Sequence, residues 1–444
     1  MRCLVTGATG YIGGRLIPRL LDRGYDVRAL ARNPAKLHDV PWHDRIEVAR
    51  GDLGDADSLA RAFDDVDVVY YLVHSMGTAK DFGAEERRSA KNVVNAARRA
   101  GVRRIVYLSG LHPSGTRLSP HLESRTAVGD ILLSSGIESV VLQAGVVIGS
   151  GSASFEMIRH LTDRLPAMTT PRWVHNKIQP IAVRDVLHYL VEAAATPVPE
   201  SRTWDIGGPD VLEYGKMMQI YAEEAGLRRR LIVVMPFLTP TIASWWVGLV
   251  TPIPSGLARP LVESLHCDAV MADHAIDAVI APPEDGLTGY RKAVGLALAR
   301  IEQGQVETSW ADAERGEPSQ PLPSDPEWAG ELVFTTNRAT QTPVDENELW
   351  KVVENTALPA HWQVASRDPG RLLVLRNHGS IPGDEWLEMG VRPLTHTSSV
   401  YHQRAIFYPK GIAGSLWWYG GLRRHRRRLR RIFADVTARA QSGG

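Results

Sequence analysis

Thr6-Gly7-Ala8-Thr9-Gly10-Tyr11-Ile12-Gly13 is the stretch that decides how this 444-residue chain reads. It follows a short apolar run, Cys3 to Thr6, and opens a helical pattern, Tyr11 to Arg23, so the glycines stand on a strand-to-helix turn. Gly7 permits the tight turn, Gly10 lets the backbone approach a pyrophosphate, and Gly13 lets the helix pack closely on the strand. The N-terminus of such a helix offers N–H groups to phosphate. The spacing is G-x-x-G-x-x-G rather than G-x-G-x-x-G, but its setting predicts a dinucleotide cradle built from Gly7, Ala8, Thr9, Gly10, Tyr11, Ile12 and Gly13. A tight turn with no ligand is the alternative.

Outward from that turn, β-branched runs alternate with helical stretches. Strands are expected at Cys3 to Thr6, Asp26 to Leu30, Ile46 to Ala49, Val66 to Leu72, Arg104 to Ser109 and Ser139 to Leu142. Helices are expected at Tyr11 to Arg23, Ser58 to Phe63, Gly83 to Ala100 and His121 to Ser135. This is the pattern of an α/β fold, a doubly wound Rossmann-type parallel sheet. After the second strand, where an acid usually receives the adenosine ribose hydroxyls, the chain has Arg28 and Arg32. Arg32, with Arg28, suits a 2′-phosphate, which favours NADP and leaves NAD possible; a solvated surface is the competing reading. Asp52 and Leu53 follow the third strand, where a carboxylate can accept from an adenine amino group or cap a helix. Leu72, Val73 and His74, after the fourth strand, are placed to pass the cofactor.

From residue 151 to 302 the pattern is less regular and reads as a substrate subdomain. It contains 28 consecutive uncharged residues, Leu231 to Ala258, with Trp245, Trp246 and four prolines. Pro240 and Pro252 leave too few residues between them for the roughly 20 a membrane-spanning helix needs. Buried helices lining an apolar pocket are expected, with a segment dipping into one leaflet as the alternative. The polar, proline-punctuated stretch 303–328 reads as a linker. Beyond it, residues 329–444 read as an α+β domain. Strands are expected at Glu331 to Thr336, Arg371 to Asn377, Trp386 to Pro393 and Ser399 to Tyr408, with helices at Asp345 to Asn355 and from about Gly411.

Composition is ordinary for a globular chain, at 44% hydrophobic and 23% charged. Two distant cysteines, Cys3 and Cys267, without metal-ligand spacing, predict neither a disulfide framework nor a metal site and fit a reducing cytoplasm. No secretory signal pattern follows Met1. The net charge of +1 makes no general case for nucleic acid. It hides an imbalance: from Lys410 onward nine basic residues face one acid, Asp435, so this tail carries +8 and the rest −7. Seven of those residues are the arginines between Arg423 and Arg431. Leu422, Leu429, Phe433 and Val436 share an apolar stripe at helical spacing, so the cluster flanks a docked helix with a solvated face. Peripheral contact with an anionic membrane through Trp417, Trp418 and Arg423 to Arg431 is the second reading, and nucleic acid the third.

The chain resembles the atypical short-chain dehydrogenase/reductases, with relatives among nitrogen-metabolite-repressor-like and isoflavone-reductase-like proteins. The likeness runs from the glycine turn through Tyr70-Tyr71-Leu72-Val73-His74-Ser75-Met76, Tyr107-Leu108-Ser109-Gly110-Leu111, Ile178 to Val186 and Asp205-Ile206-Gly207-Gly208-Pro209. The segment Phe407 to Tyr419, preceded by Gly383 to Leu387, is similar to a bacterial group that appends a START-like, helix-grip domain. The resemblance implies a Ser followed by Tyr-x-x-x-Lys, in which the phenol exchanges the proton that accompanies hydride transfer. Here Ser109 is in place, but the helix carries His121 and Arg125 and no Tyr-x-x-x-Lys. Both residues lie on one helix face at i, i+4. An imidazole can exchange a proton at neutral pH, whereas a guanidinium cannot be its source. Gln143 and Gln179 are pocket polar groups or satisfy nearby backbone. An NADP-dependent reductase of an apolar carbonyl, enone or quinone-like compound is the leading expectation, with Ser109, His121 and Arg125 at the reacting centre. The alternatives are a non-catalytic NAD(P)-binding sensor or assembly protein and a membrane-surface binder of an apolar ligand.

Overall fold

The computed structural model describes residues 1–73, 82–235, 255–299 and 334–442, apart from single positions 39, 114, 117, 358, 396 and 410. These residues fall into two compact units, 1–299 and 334–442. His74, most of the uncharged block and the expected linker 303–328 lie outside the described residues.

The first unit is built on seven parallel strands: β1 (Arg2–Thr6), β2 (Asp26–Ala31), β3 (Glu47–Arg50), β4 (Val68–Tyr71), β5 (Arg104–Gly110), β6 (Glu138–Ala144) and, after four short strands, β11 (Arg202–Ile206). Their spatial order is β11-β6-β5-β4-β1-β2-β3, which reverses direction between β1 and β4. Such a switch point opens a crevice at the carboxyl ends of the strands. Both faces are covered. On one, Val5, Tyr70, Val106 and Leu142 meet Leu16 and Ile17 of α1 (Tyr11–Asp22) and Val186 and Leu190 of α6 (Val183–Glu192). On the other, Val69, Tyr71, Tyr107 and Val141 meet Val93 and Ala97 of α3 (Phe82–Ala100) and Val128 and Leu132 of α4 (Pro120–Leu133); the short α2 (Ala56–Leu59) adds Leu59. Double burial is why these strands read as unbroken apolar runs. The Tyr70 hydroxyl, donating to the Leu190 carbonyl at 2.9 Å, ties the sheet to α6.

The subdomain uses three two-stranded pairs: β7 (Val147–Ile148) with β10 (Ile181–Ala182), β8 (Ala167–Thr170) with β13 (Leu231–Val234), and β9 (Lys177–Ile178) with β12 (Leu212–Glu213). Phe155 and Ile158 of α5 (Ala153–Arg164), Met217 and Tyr221 of α7 (Tyr214–Glu224) and Val262 of α8 (Ser255–Ser264) share its core. Within that core α5 buries Glu156, Arg159 and His160. Glu156 accepts from the Gly151 amide at 2.9 Å and pairs with Arg159 at 2.7 Å. Burial, reinforced by Arg159 and Arg164, pushes His160 down to about 2.

The second unit is an antiparallel sheet in the order β14-β18-β17-β16-β15: β14 (Phe334–Thr342), β15 (Trp362–Asp368), β16 (Leu372–Asn377), β17 (Gly383–Thr395) and β18 (Ser398–Pro409). It packs with α9 (Glu346–Glu354) and the long α10 (Gly411–Ser442). Leu429, Val436 and Ala440 of α10 meet Leu387, Met389, Tyr401 and Ala405 of the sheet, with Leu349 and Val353 of α9. Between helix and sheet, Gln403 donates to the Leu429 carbonyl at 3.0 Å, and buried Glu385 accepts from Asn377 at 2.6 Å and from Arg428. The strand β15 was not foreseen, because among its residues only Trp362 is buried. Its register slips by one, pairing Val364 with Leu375 and Ser366 with Val374, so Ala365 is an extra residue in the edge strand.

Of the two tryptophans expected at a membrane, Trp418 is buried and Trp417 half-buried. Trp418 is 4% exposed and stacks on Phe334, Phe407 and His425 with ring centroids 5.3, 5.3 and 5.1 Å apart. Trp417 lies 5.0 Å from Phe407 and 4.3 Å from His425. These rings seal the start of α10 to the sheet, because burying large aromatic area there stabilises more than exposing it.

Candidate functional site

The glycine turn has the shape the sequence calls for. Gly7 adopts φ +69°, and the Gly10 amide donates to its carbonyl at 2.9 Å. A Cβ at Gly13 would stand 2.3 Å from the Gly7 oxygen, and one at Gly7 would stand 2.9 Å from the Leu72 oxygen. The turn is therefore pressed between α1 and the strap that leaves β4, which places Leu72 and Val73 beside it. Thr6 fixes that strap: its buried hydroxyl donates to the Tyr70 carbonyl at 2.9 Å and accepts from the Leu72 amide at 3.1 Å. Ala8 is fully buried, while Thr9, Tyr11 and Ile12 are half-buried and Gly10 is exposed. No acid occupies the first turn of α1, so the positive end of the helix dipole is left for an anion. A dinucleotide fits this cradle.

The two arginines expected at the ribose separate. Arg28 is corrected to a structural residue: its side chain is buried, donates to the Ala62 and Asp64 carbonyls at 2.9 and 2.7 Å, and pairs with Glu47 at 2.8 Å. Arg32, one residue past β2, is exposed and has no ion-pair partner among the described residues. Asp52 caps no helix. One of its oxygens accepts from the Gly54 amide at 2.8 Å, and the cap of α2 is Asp55. Leu53 is buried, with its carbonyl held by Asn92 at 2.9 Å.

At the carboxyl end of the sheet, register brings polar side chains together that are far apart in sequence. Ser109 on β5, Gln143 on β6 and Asp205 on β11 are register partners across three adjacent strands, which lie about 4.8 Å apart. The Ser109 Oγ is buried and makes no well-formed hydrogen bond among the described residues, though it is near enough to the Tyr107 hydroxyl to lower that group's pKa. Gln143 does not serve backbone: its Nε2 lies 3.1 Å from His112 Nε2, and Thr126 Oγ1 of α4 lies 3.1 Å from the same nitrogen. The other ring nitrogen makes only a long contact, 3.4 Å, to the Pro113 carbonyl. With Gln143 donating, Nε2 accepts and the Nδ1 proton is left to serve a ligand. Asp205 accepts from the Ala272 amide at 2.8 Å; burial raises its pKa, and nearby His112 opposes that rise. Gln179 takes the backbone role, donating to the Gly208 carbonyl at 2.9 Å and accepting from the Met271 amide at 3.0 Å.

His112 was missed by reading the sequence. It sits three residues past Ser109, on the loop that leaves β5 at the sheet's carboxyl end, and that position was the available clue. His121 and Arg125 stand in the first half of α4, where the i, i+4 argument puts them. The Arg125 guanidinium donates to the Leu108 carbonyl and lies 5.3 Å over the Tyr107 ring, clamping α4 to β5. Burial raises Tyr107, and Arg125 opposes that shift. Among the described residues no cluster of His, Cys, Asp and Glu could hold a metal ion.

The family described as NAD(P)H-binding matches residues 7–150. A 3β-hydroxysteroid dehydrogenase/Δ5→4-isomerase of Mycobacterium tuberculosis is 39% identical over 118 residues, covering 24% of this chain and 31% of that protein. The chain thus spans about a third of the length of that relative. A ceramide reductase of Caulobacter vibrioides is 28% identical over 274 residues, 60% of this chain and 84% of its own. Among solved structures, a Citrobacter sp. triphenylmethane reductase complexed with NADP(H) superimposes with a TM-score of 0.53 at 20% identity, over 67% of this chain and all of that one, a likeness of fold. Residues 7–150 are thus similar to the NAD(P)H-binding family, and the first unit shares the Rossmann-type fold of that reductase.

Proposed function

We propose that the protein is an NADPH-dependent reductase of an apolar carbonyl, enone or quinone-like small molecule. The observation that carries this reading is the polar row at the end of the sheet: Ser109, whose buried hydroxyl borders that of Tyr107, beside Gln143 and the His112 it orients. NADPH, when bound, supplies the hydride. Gly7 to Gly13 and the α1 N-terminus hold its pyrophosphate, and Arg32 pairs with its 2′-phosphate. Ser109 donates to the substrate oxygen, and His112, oriented by Gln143, gives up its Nδ1 proton while Nε2 takes one from the Thr126 hydroxyl, which recovers it from solvent, so the ring stays neutral. This allots to His112 the proton transfer that the sequence suggested for His121. The steroid and ceramide reactions in the relatives' names support a lipid-like, apolar substrate.

NADPH raises the melting temperature by mass action on the native state. NADPH consumption across a panel of apolar ketones, enones and quinones then falls about 10²–10⁴-fold in His112→Gln, the range of a lost general acid. His121→Gln falls less. A protein that binds NADPH yet turns over nothing on that panel sinks the reductase reading. A second reading, a non-catalytic NADPH sensor, is favoured by Arg125, which is spent on the Leu108 carbonyl where a Tyr-x-x-x-Lys enzyme keeps a lysine for its tyrosine.

A further inference from the structure

The final helix divides the seven-arginine cluster between its two sides. Arg428 turns inward, donating to buried Glu385 and lying 5.6 Å over the Trp362 ring. The other six, Arg423, Arg424, Arg426, Arg427, Arg430 and Arg431, are exposed and have no ion-pair partner among the described residues. The one acid of this tail, Asp435, is taken by Arg439 at 3.0 Å. At 100° per residue the six fall within an arc of about 160°. The buried residues Trp418, His425, Leu429, Val436 and Ala440 occupy the opposite side. Leu416 and Tyr419, 67% and 64% exposed, lie on the arginine arc one to two turns before Arg423. Exposed Ala434 and Ala438 continue it beyond Arg431 with nothing bulky.

We propose that this face of α10 lies flat on an anionic lipid bilayer, with Leu416 and Tyr419 entering the acyl boundary and the six arginines pairing with headgroup phosphates. The charge is complementary, since six cations without local counterions meet a dense anionic plane. The two exposed apolar side chains at one end of the same arc select a bilayer over a nucleic acid, because a phosphodiester backbone gives Leu416 nothing apolar to enter. Arginine suits the role through its multidentate match to phosphate. Among the described residues no helix is long and apolar enough to cross a membrane, so the attachment is peripheral. The contact uses Leu416 and the exposed part of Tyr419, whose ring stays edge-on to Phe334 at 5.2 Å, and leaves the stacked Trp417 and Trp418 in place.

The test is co-sedimentation of the full chain with vesicles of 70% phosphatidylcholine and 30% phosphatidylserine, against pure phosphatidylcholine, at 0.1 M salt. Binding to the anionic vesicles is expected, weakening steeply at 0.5 M salt as screening tightens. Replacing Arg424, Arg427, Arg430 and Arg431 by Gln lowers the partition more than a hundredfold, about fivefold per charge. Leu416→Ser with Tyr419→Ser lowers it about tenfold. An unchanged melting temperature confirms that each variant folds. As a second readout, an environment-sensitive dye on Tyr419→Cys, in a Cys267→Ser background, shifts to the blue on anionic vesicles. Equal binding to neutral vesicles, binding unchanged in the four-arginine variant, no dye shift, or a single-stranded oligonucleotide that binds more tightly than the vesicles would each overturn the proposal.

Discussion

The two ends of the first unit's ligand crevice are made differently. The nucleotide end is made of backbone: Gly7, Gly10, Gly13 and the start of α1 present main-chain groups, and what matters there is the absence of side chains. The proposed substrate end is made of side chains: Ser109, Gln143, Asp205 and His112 come from three strands and a loop, and only the register of the sheet unites them. A backbone site tolerates change around it but not within it. A side-chain site can be altered one group at a time.

The strongest test of that contrast is Gly13→Val. A Cβ 2.3 Å from the Gly7 oxygen forces the turn open, costing about 3 kcal/mol, so NADPH affinity falls about a hundredfold or more and the NADPH-induced rise in melting temperature disappears. The arginines come next. Arg28→Ala leaves the carbonyls of Ala62 and Asp64 without their donor and lowers stability by about 2–3 kcal/mol without changing the NADPH to NADH preference. Arg32→Ala does the reverse, cutting that preference about ten- to a hundredfold, as loss of a charge-assisted pair with phosphate requires. If Arg28→Ala shifts cofactor preference and Arg32→Ala does not, the division between them is wrong.

At the side-chain end, Gln143→Leu keeps the volume but leaves His112 Nε2 to Thr126 alone. It lowers kcat by about ten- to a hundredfold with KM little changed, the cost of one unsupported polar partner, and leaves NADPH binding intact. The smallest effect lies outside both ends. The folded protein keeps His160 neutral, whereas in the unfolded chain it protonates near pH 6.5, so stability present above that pH is lost as pH falls, by about 1.4 kcal/mol per unit. His160→Gln flattens this slope in chemical denaturation between pH 6.5 and 5.

The same contrast governs what could be read in advance. The glycine turn is local, so eight consecutive residues with a strand before and a helix after reveal it. Arg28 and Arg32 look alike in sequence because alternation carries no information in a sheet buried on both faces; the partners that set them apart, Ala62, Asp64 and Glu47, come from other elements. The pairing of Gln143 with His112 depends on register across β5 and β6, which periodicity cannot supply. In the second unit, β16 was legible from its apolar run Leu372 to Leu375, whereas β15 buries only Trp362 and carries no such mark. Trp417 and Trp418 look like interface anchors beside arginines until the stacking rings of Phe334 and Phe407 are known.

The extra residue in β15 has a consequence for solubility. This strand is an edge of the five-stranded sheet and bears an exposed Val364. A straight edge of that kind offers a ladder of unpaired amides to another chain. Ala365 breaks the ladder at its middle, and the charged residues Arg367 and Asp368 end it, which disfavours continuation of the sheet in register by a second molecule. Deleting Ala365 would straighten the edge and convert a monomer-compatible surface into a seed for concentration-dependent self-association.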